Sequence, residues 1–164
     1  MTAVDETMSA INDAVTLGRH GDPAAAREQL TTLWDTIGAN GDPLHRVSLA
    51  HFLADLHEHA ADALTWDIRA LDAAEALTDD RAQAHHAGLS VRGFYPSLHL
   101  NLADNYRRLG AFDTARRHLD AARARLDVLE EDGYGLGVRA GIANVEAALA
   151  EYSTERLPTH PSPS

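Results

Sequence analysis

The triplet Gly-Asp-Pro stands at residues 21–23 and again at residues 41–43, and each copy spells out the start of a helix. An aspartate carboxylate accepts hydrogen bonds from the amides that a first turn leaves unpaired, and a first-turn proline gives up a donor that would have no partner there. Starts twenty residues apart leave room for one helix of about four turns and a short reversal. Short helices folded back on one another are the consequence.

Apolar spacing extends that pattern along the chain. Met8, Ile11 and Val15 predict a first helix that ends near residues 18–21. Leu30, Leu33, Trp34 and Ile37 mark a second, closed by the glycines at 38 and 41, and Leu49, Leu53 and Leu56 mark a third. A fourth runs over residues 60–77 with Leu64, Ile68 and Leu71 as its core face, and Thr78, Asp79 and Asp80 form the next cap. Residues 81–109 favour helix but contain Gly88, Gly93 and Pro96, which predicts one long kinked helix or two shorter ones meeting near residues 94–96. After a break at Gly110, Asp113 caps a helix to about Leu129. Residues 131–137 read as a loop, and Val138, Ile142, Val145 and Leu149 stripe a closing helix over 138–151. From Ser153 the chain is rich in Pro, Ser and Thr, so 153–164 is expected to be a disordered tail.

The expected fold is therefore all-α, with about seven helices in antiparallel pairs forming one domain over residues 1–152. Composition agrees, since 30 alanines and 21 leucines dominate the apolar residues while aromatics make up only 5%. Sandwiches and barrels draw instead on β-branched and aromatic residues.

Charge and residue usage exclude several functions. A formal charge of −11 repels a phosphate backbone, so no nucleic-acid partner is expected. The absence of cysteine removes disulfides, cysteine zinc sites and thiol nucleophiles together. An acidic N-terminus without an apolar run and the lack of a spanning stretch predict a cytoplasmic chain with no membrane partner. All 14 basic residues are Arg, the usage of a high-GC bacterial coding sequence.

The segment 96–127 (PSLHLNLADNYRRLGAFDTARRHLDAARARLD) resembles a tetratricopeptide repeat. Leu102, Ala103 and Tyr106 match the large, small and aromatic positions of the first helix of such a repeat. Gly110 matches its turn, and Ala115, Leu119 and Ala122 the small, large and small positions of the second helix. The resemblance implies a short solenoid whose first helices line a concave groove for a protein or peptide segment. Carried onto this sequence, the groove positions are Ser97, Leu100, Asp104, Arg107 and Arg108, with the two arginines suited to a carboxylate. A solenoid end also invites stacking, so a homodimer is expected as one form of association.

Two other clusters compete for a role. Arg107, Arg108, Arg116, Arg117, Arg123 and Arg125 form a basic run, but Asp113 and Asp120 precede Arg117 and Arg123 at ion-pair spacing, which predicts a salt-laced exposed face. Among ten histidines, His51, Asp55 and His59 follow at i, i+4 and i+8, a spacing that could present ligands to a divalent ion along one helix face; His45, His85, His86 and His99 could join them. No His-Glu-x-x-His and no Gly-x-Ser-x-Gly motif is present, and residues 133–137 follow no strand that would make them a phosphate loop. The leading expectation is a non-catalytic interaction scaffold without a cofactor. Its alternative is a small histidine-rich, metal-binding enzyme or accessory protein in a bacterial pathway.

Overall fold

Both Gly-Asp-Pro triplets start helices as their chemistry requires. In the computed structural model, which describes residues 5–78, 80–81 and 91–158, Asp22 Oδ1 accepts from the Ala25 amide at 3.1 Å and Asp42 Oδ1 from the Leu44 amide at 2.9 Å. Asp5 caps the first helix in the same way through the Met8 amide. The helices are α1 (Glu6–Arg19), α2 (Pro23–Ile37), α3 (Pro43–Asp55), α4 (Ala60–Ala76), α5 (Val91–Arg108), α6 (Phe112–Arg123) and α7 (Gly133–Ala150), with a 3₁₀ turn at Leu126–Val128. Among the described residues the fold is all-α with these seven helices and no strand. No helix among them is long and apolar enough to cross a membrane.

The chain divides into two compact units, residues 1–91 and 92–164, where the sequence reading treats 1–152 as one domain. In the first unit α3 packs along α4 over the greatest length, with α1 against α2 and both against α3. Ile11, Leu30, Leu44, Val47, Leu49 and Leu53 are fully buried there. The inward face of α4 is not the expected one. Ile68 is exposed and Leu64 and Leu71 are only half-buried, while Ala63, Trp66, Asp67, Ala70, Ala73 and Ala74 face inward. Small residues let the α4 backbone approach α3 closely, while the Trp66 ring meets Trp34 of α2 and His57; a stripe of leucines would hold the helices apart.

In the second unit α5, α6 and α7 surround one cluster containing Ala103, Ala115, Leu119, Ala122, Val138, Ile142, Val145 and Leu149. The three alanines expected at close contacts, Ala103, Ala115 and Ala122, are completely buried. A single helix, α5, runs through residues 94–96 with Pro96 inside it; Gly88 and the other residues of 82–90 lie outside the described part, as does Asp79. Gly110 turns the chain at φ 80°, and the cap of α6 is Ala111, with Asp113 in the first turn. Of the predicted loop at 131–137, residues 131 and 132 stay outside a helix and 133–137 are instead the beginning of α7. Asp132 Oδ1 accepts from the Gly135 amide at 2.8 Å and converts the glycine run into a first turn. Gly135 has a packing reason, since a Cβ there would collide with the Glu130 carbonyl oxygen.

Candidate functional site

The five groove positions all lie on α5, and the second unit covers them from two sides. Ser97 is buried; its hydroxyl accepts from Tyr134 Oη at 2.7 Å and donates to the Phe94 carbonyl at 3.2 Å. Burial pushes the Tyr134 phenol above its ordinary pKa, with the Ser97 hydrogen bond opposing. Leu100 packs against Gly141, where an added Cβ would lie 2.6 Å from Leu100 Cδ2. Two turns farther along, the guanidinium of Arg107 is 0% exposed, an unusual position for this side chain.

Arg107 is fully engaged. Its Nε and Nη2 donate to Asp104 Oδ1 at 3.0 and 2.7 Å, Nη1 donates to the Ser153 carbonyl at 2.7 Å, and Nη2 donates to the Glu155 carbonyl at 2.8 Å. The carboxylate balances its charge and the planar fork spans two carbonyls, a geometry lysine could not reproduce. Residues 153–158, expected to begin a disordered tail, are therefore held to α5, while 159–164 lie outside the described residues. Asp104 and Arg108 remain half-buried beside this contact.

What brings the tail there is the end of α7. The Ser153 amide donates to the Ala148 carbonyl and the Tyr152 amide to the Leu149 carbonyl, the paired bonds of a Schellman turn. That turn requires a left-handed residue, and Tyr152 takes it at φ 53° although it carries a side chain. Its ring is offset by an edge-to-face contact with Phe112 and by Arg116 lying 5.3 Å from its centroid. Sequence reasoning missed this reversal because glycine, its usual marker, is absent.

Beside the groove positions stands a ring ladder that was not foreseen. Tyr95, His99, His118 and Tyr106 stack in that order, and His99 Nδ1 lies 3.1 Å from His118 Nδ1. One imidazole must donate and the other accept, so at least the accepting ring is neutral when this bond forms. Burial, then the charge of Arg125 and the neighbouring His118, lowers the His99 pKa to about 4; burial and Arg117 lower that of His118. His99 is thus used here as a stacking ring.

The metal candidates are separated. Helix α3 stops at Asp55, so His59 does not continue the stripe of His51 and Asp55; it sits exposed at the cap of α4. His45 is held by Asp5, with Nε2 to the two oxygens at 3.0 and 2.9 Å, and His85 and His86 lie outside the described residues. Among the described residues no group of three or more His, Asp or Glu side chains is placed to hold a metal. The salt-laced face of α6 is present: Arg123 reaches Asp120 as expected and Glu146 as well, while Arg116 in place of Arg117 pairs with Asp113 at 3.4 Å and Arg117 donates to Thr114.

The first unit carries its own charged cluster. Arg81 bridges the caps of two helices, with Nη2 at 2.6 Å from Asp42 and 3.2 Å from Asp5. Partial burial pushes the Asp5 carboxyl up, but the hydrogen bond from His45, the Met8 amide, the charge on His45 and Arg81 outweigh it and hold it at about 2. Elsewhere in that unit Trp34 and Trp66 meet edge to face at 5.1 Å, with Arg46 over the first ring and Arg69 over the second. These arrangements tie helix ends and cap a core; neither holds a nucleophile beside a base. No protein-family model, no curated protein and no solved structure matches this chain.

Proposed function

We propose that the chain is a non-catalytic interaction module whose second unit captures a protein or peptide segment, in the manner of a tetratricopeptide repeat. The observation that supports this most is the Arg107 fork on two main-chain carbonyls two residues apart, Ser153 and Glu155. The segment bends at residue 155 and the Ser153 hydroxyl accepts from the Glu155 amide at 3.3 Å, so the guanidinium holds a turned stretch of main chain by its carbonyls, a recognition that needs no particular side chain. Around it α5 and α6 contribute Ala103, Ala115 and Ala122 to one core, as the helix pair of such a repeat would. Asp104 and Arg108, half-buried at the edge of this contact, are the polar groups a partner would meet.

The test is affinity capture with the full chain against an Arg108→Ala variant whose helical circular dichroism and melting temperature match wild type. The reading expects one or more proteins retained by wild type and lost from the variant. Identical retention by both would remove α5 as the binding face.

A further inference from the structure

We infer that His99 and His118 form a two-coordinate site for a soft monovalent cation, Cu(I) or Ag(I), held in line between their two Nδ1 atoms. Neither histidine enters the capture test of the interaction reading, and neither claim depends on the other.

The geometry of the pair carries it. His99 on α5 and His118 on α6 stand with their Nδ1 atoms 3.1 Å apart and their ring centroids 5.4 Å apart. The longer distance equals the shorter one plus the two ring radii, so both nitrogens lie on the line between the centroids. The planes are twisted by 27° about that line, and the two imidazoles continue the ladder edge to edge. An imidazole lone pair points straight out from the ring centre, so each ring aims its Nδ1 at the other's. A proton on this axis makes the hydrogen bond, and a cation bound by two imidazoles in line uses the same axis. Tyr95 beside His99 and Tyr106, within 7° of parallel to His118, hold the ring orientations from outside.

The same axis selects the ion. Zn(II) takes its ligands in a tetrahedron, which needs lone pairs that converge on a point off the line between the rings. Among the described residues no third His, Asp or Glu side chain is placed to complete such a set. The charges acting on the pair are those of Arg125 on His99 and Arg117 on His118, and a cationic surround penalises a divalent ion twice as heavily as a monovalent one. Linear coordination by two neutral nitrogens is instead the habit of Cu(I) and Ag(I), and imidazole is a good ligand for copper. Two metal–nitrogen bonds of about 2 Å in line place the nitrogens about 4 Å apart, so the rings part by about 1 Å. Both side chains are half-buried and sit on different helices, which leaves them room to do so. Binding keeps one proton on each ring, at Nε2, and adds a single charge.

The experiment titrates the full chain with silver nitrate in chloride-free buffer and, separately, with zinc sulfate, by calorimetry and by nuclear magnetic resonance of isotope-labelled imidazole nitrogens. His99→Phe and His118→Phe each keep a ring in the ladder and remove one ligand. Wild type should take up one Ag(I) that either variant binds roughly a hundredfold more weakly, because the second ligand of a tethered pair acts at high effective concentration. Bound Ag(I) should show one-bond coupling to Nδ1 of both His99 and His118. Zn(II) should bind wild type and both variants alike. Equal Ag(I) binding by all three chains would overturn the inference, as would coupling that is absent from these two nitrogens or confined to one of them. Zinc binding lost from both variants would overturn the choice of ion. Should a variant lose its helical circular dichroism, the coupling in wild type decides alone.

Discussion

At the residue scale, a few charged side chains hold together segments far apart in sequence. Arg107 joins α5 to residues 153 and 155, and being wholly buried it cannot exchange its bonds for water. Arg107→Lys should therefore destabilise the chain by about 2 kcal/mol, read as a fall in the urea midpoint, because the carbonyls lose donors where solvent cannot replace them. No change in midpoint would mean the fork contributes nothing. Arg81 offers a contrast, since its pairs with Asp5 and Asp42 are partly solvated and screened. Arg81→Ala is expected to cost only about 1 kcal/mol, with the loss shrinking as salt is added. The arginines were plain in the sequence and their roles were not. Arg107 looks like one of six in a basic run, and what covers it is the tail that the reversal at Tyr152 returns to α5.

At the element scale, helix glycines separate packing from propensity. Gly137 lies in α7 with nothing near a built Cβ, so Gly137→Ala should stabilise the chain by about 1 kcal/mol through helix propensity alone. Gly135→Ala, two residues away, should destabilise it, because its methyl would meet the backbone oxygen of Glu130. Thermal unfolding of the pair checks both signs at once. The helix starts were largely readable from sequence because caps are local: Asp22-Pro23 and Asp42-Pro43 act through bonds within four residues. Faces were less readable. The α4 stripe of Leu64, Ile68 and Leu71 has the right spacing for a core, yet Ala63, Ala70 and Ala74 win it because the approach to α3 rewards small volume over hydrophobicity. The start of α7 was misread for a related reason. A run of glycines suggests a loop, and one hydrogen bond from Asp132 to the Gly135 amide outweighs it.

At the scale of the whole molecule, the shifted groups that titrate below neutrality make stability depend on pH in one direction. His99 titrates near 4 in the folded state against an ordinary value of 6.5, so in that interval the unfolded chain takes up a proton that the folded chain refuses. Stability must then fall as pH drops from 6.5 towards 4, with His118 acting in the same sense. Asp5 adds a second window, because its carboxyl, held at about 2 against 3.8, contributes stability that is lost only below 3.8. Urea unfolding from about pH 7 down to about pH 4 should show a declining midpoint, and His99→Gln should flatten the decline. A midpoint that rises on acidification would show that the ring pair is not buried neutral. Of the candidate site, the sequence supplied the five positions on α5 and the alanines beneath them. It could not supply what covers Arg107, since the covering segment has neither periodicity nor a glycine hinge.

The central claim is that α5 is where this chain meets another protein. A photo-reactive benzoylphenylalanine placed at position 108 of the full chain, compared with one at the exposed position 68 of α4, tests it most directly. The account predicts a discrete covalent adduct with another protein from position 108 and none from position 68. Adducts from 68 and none from 108 would contradict it.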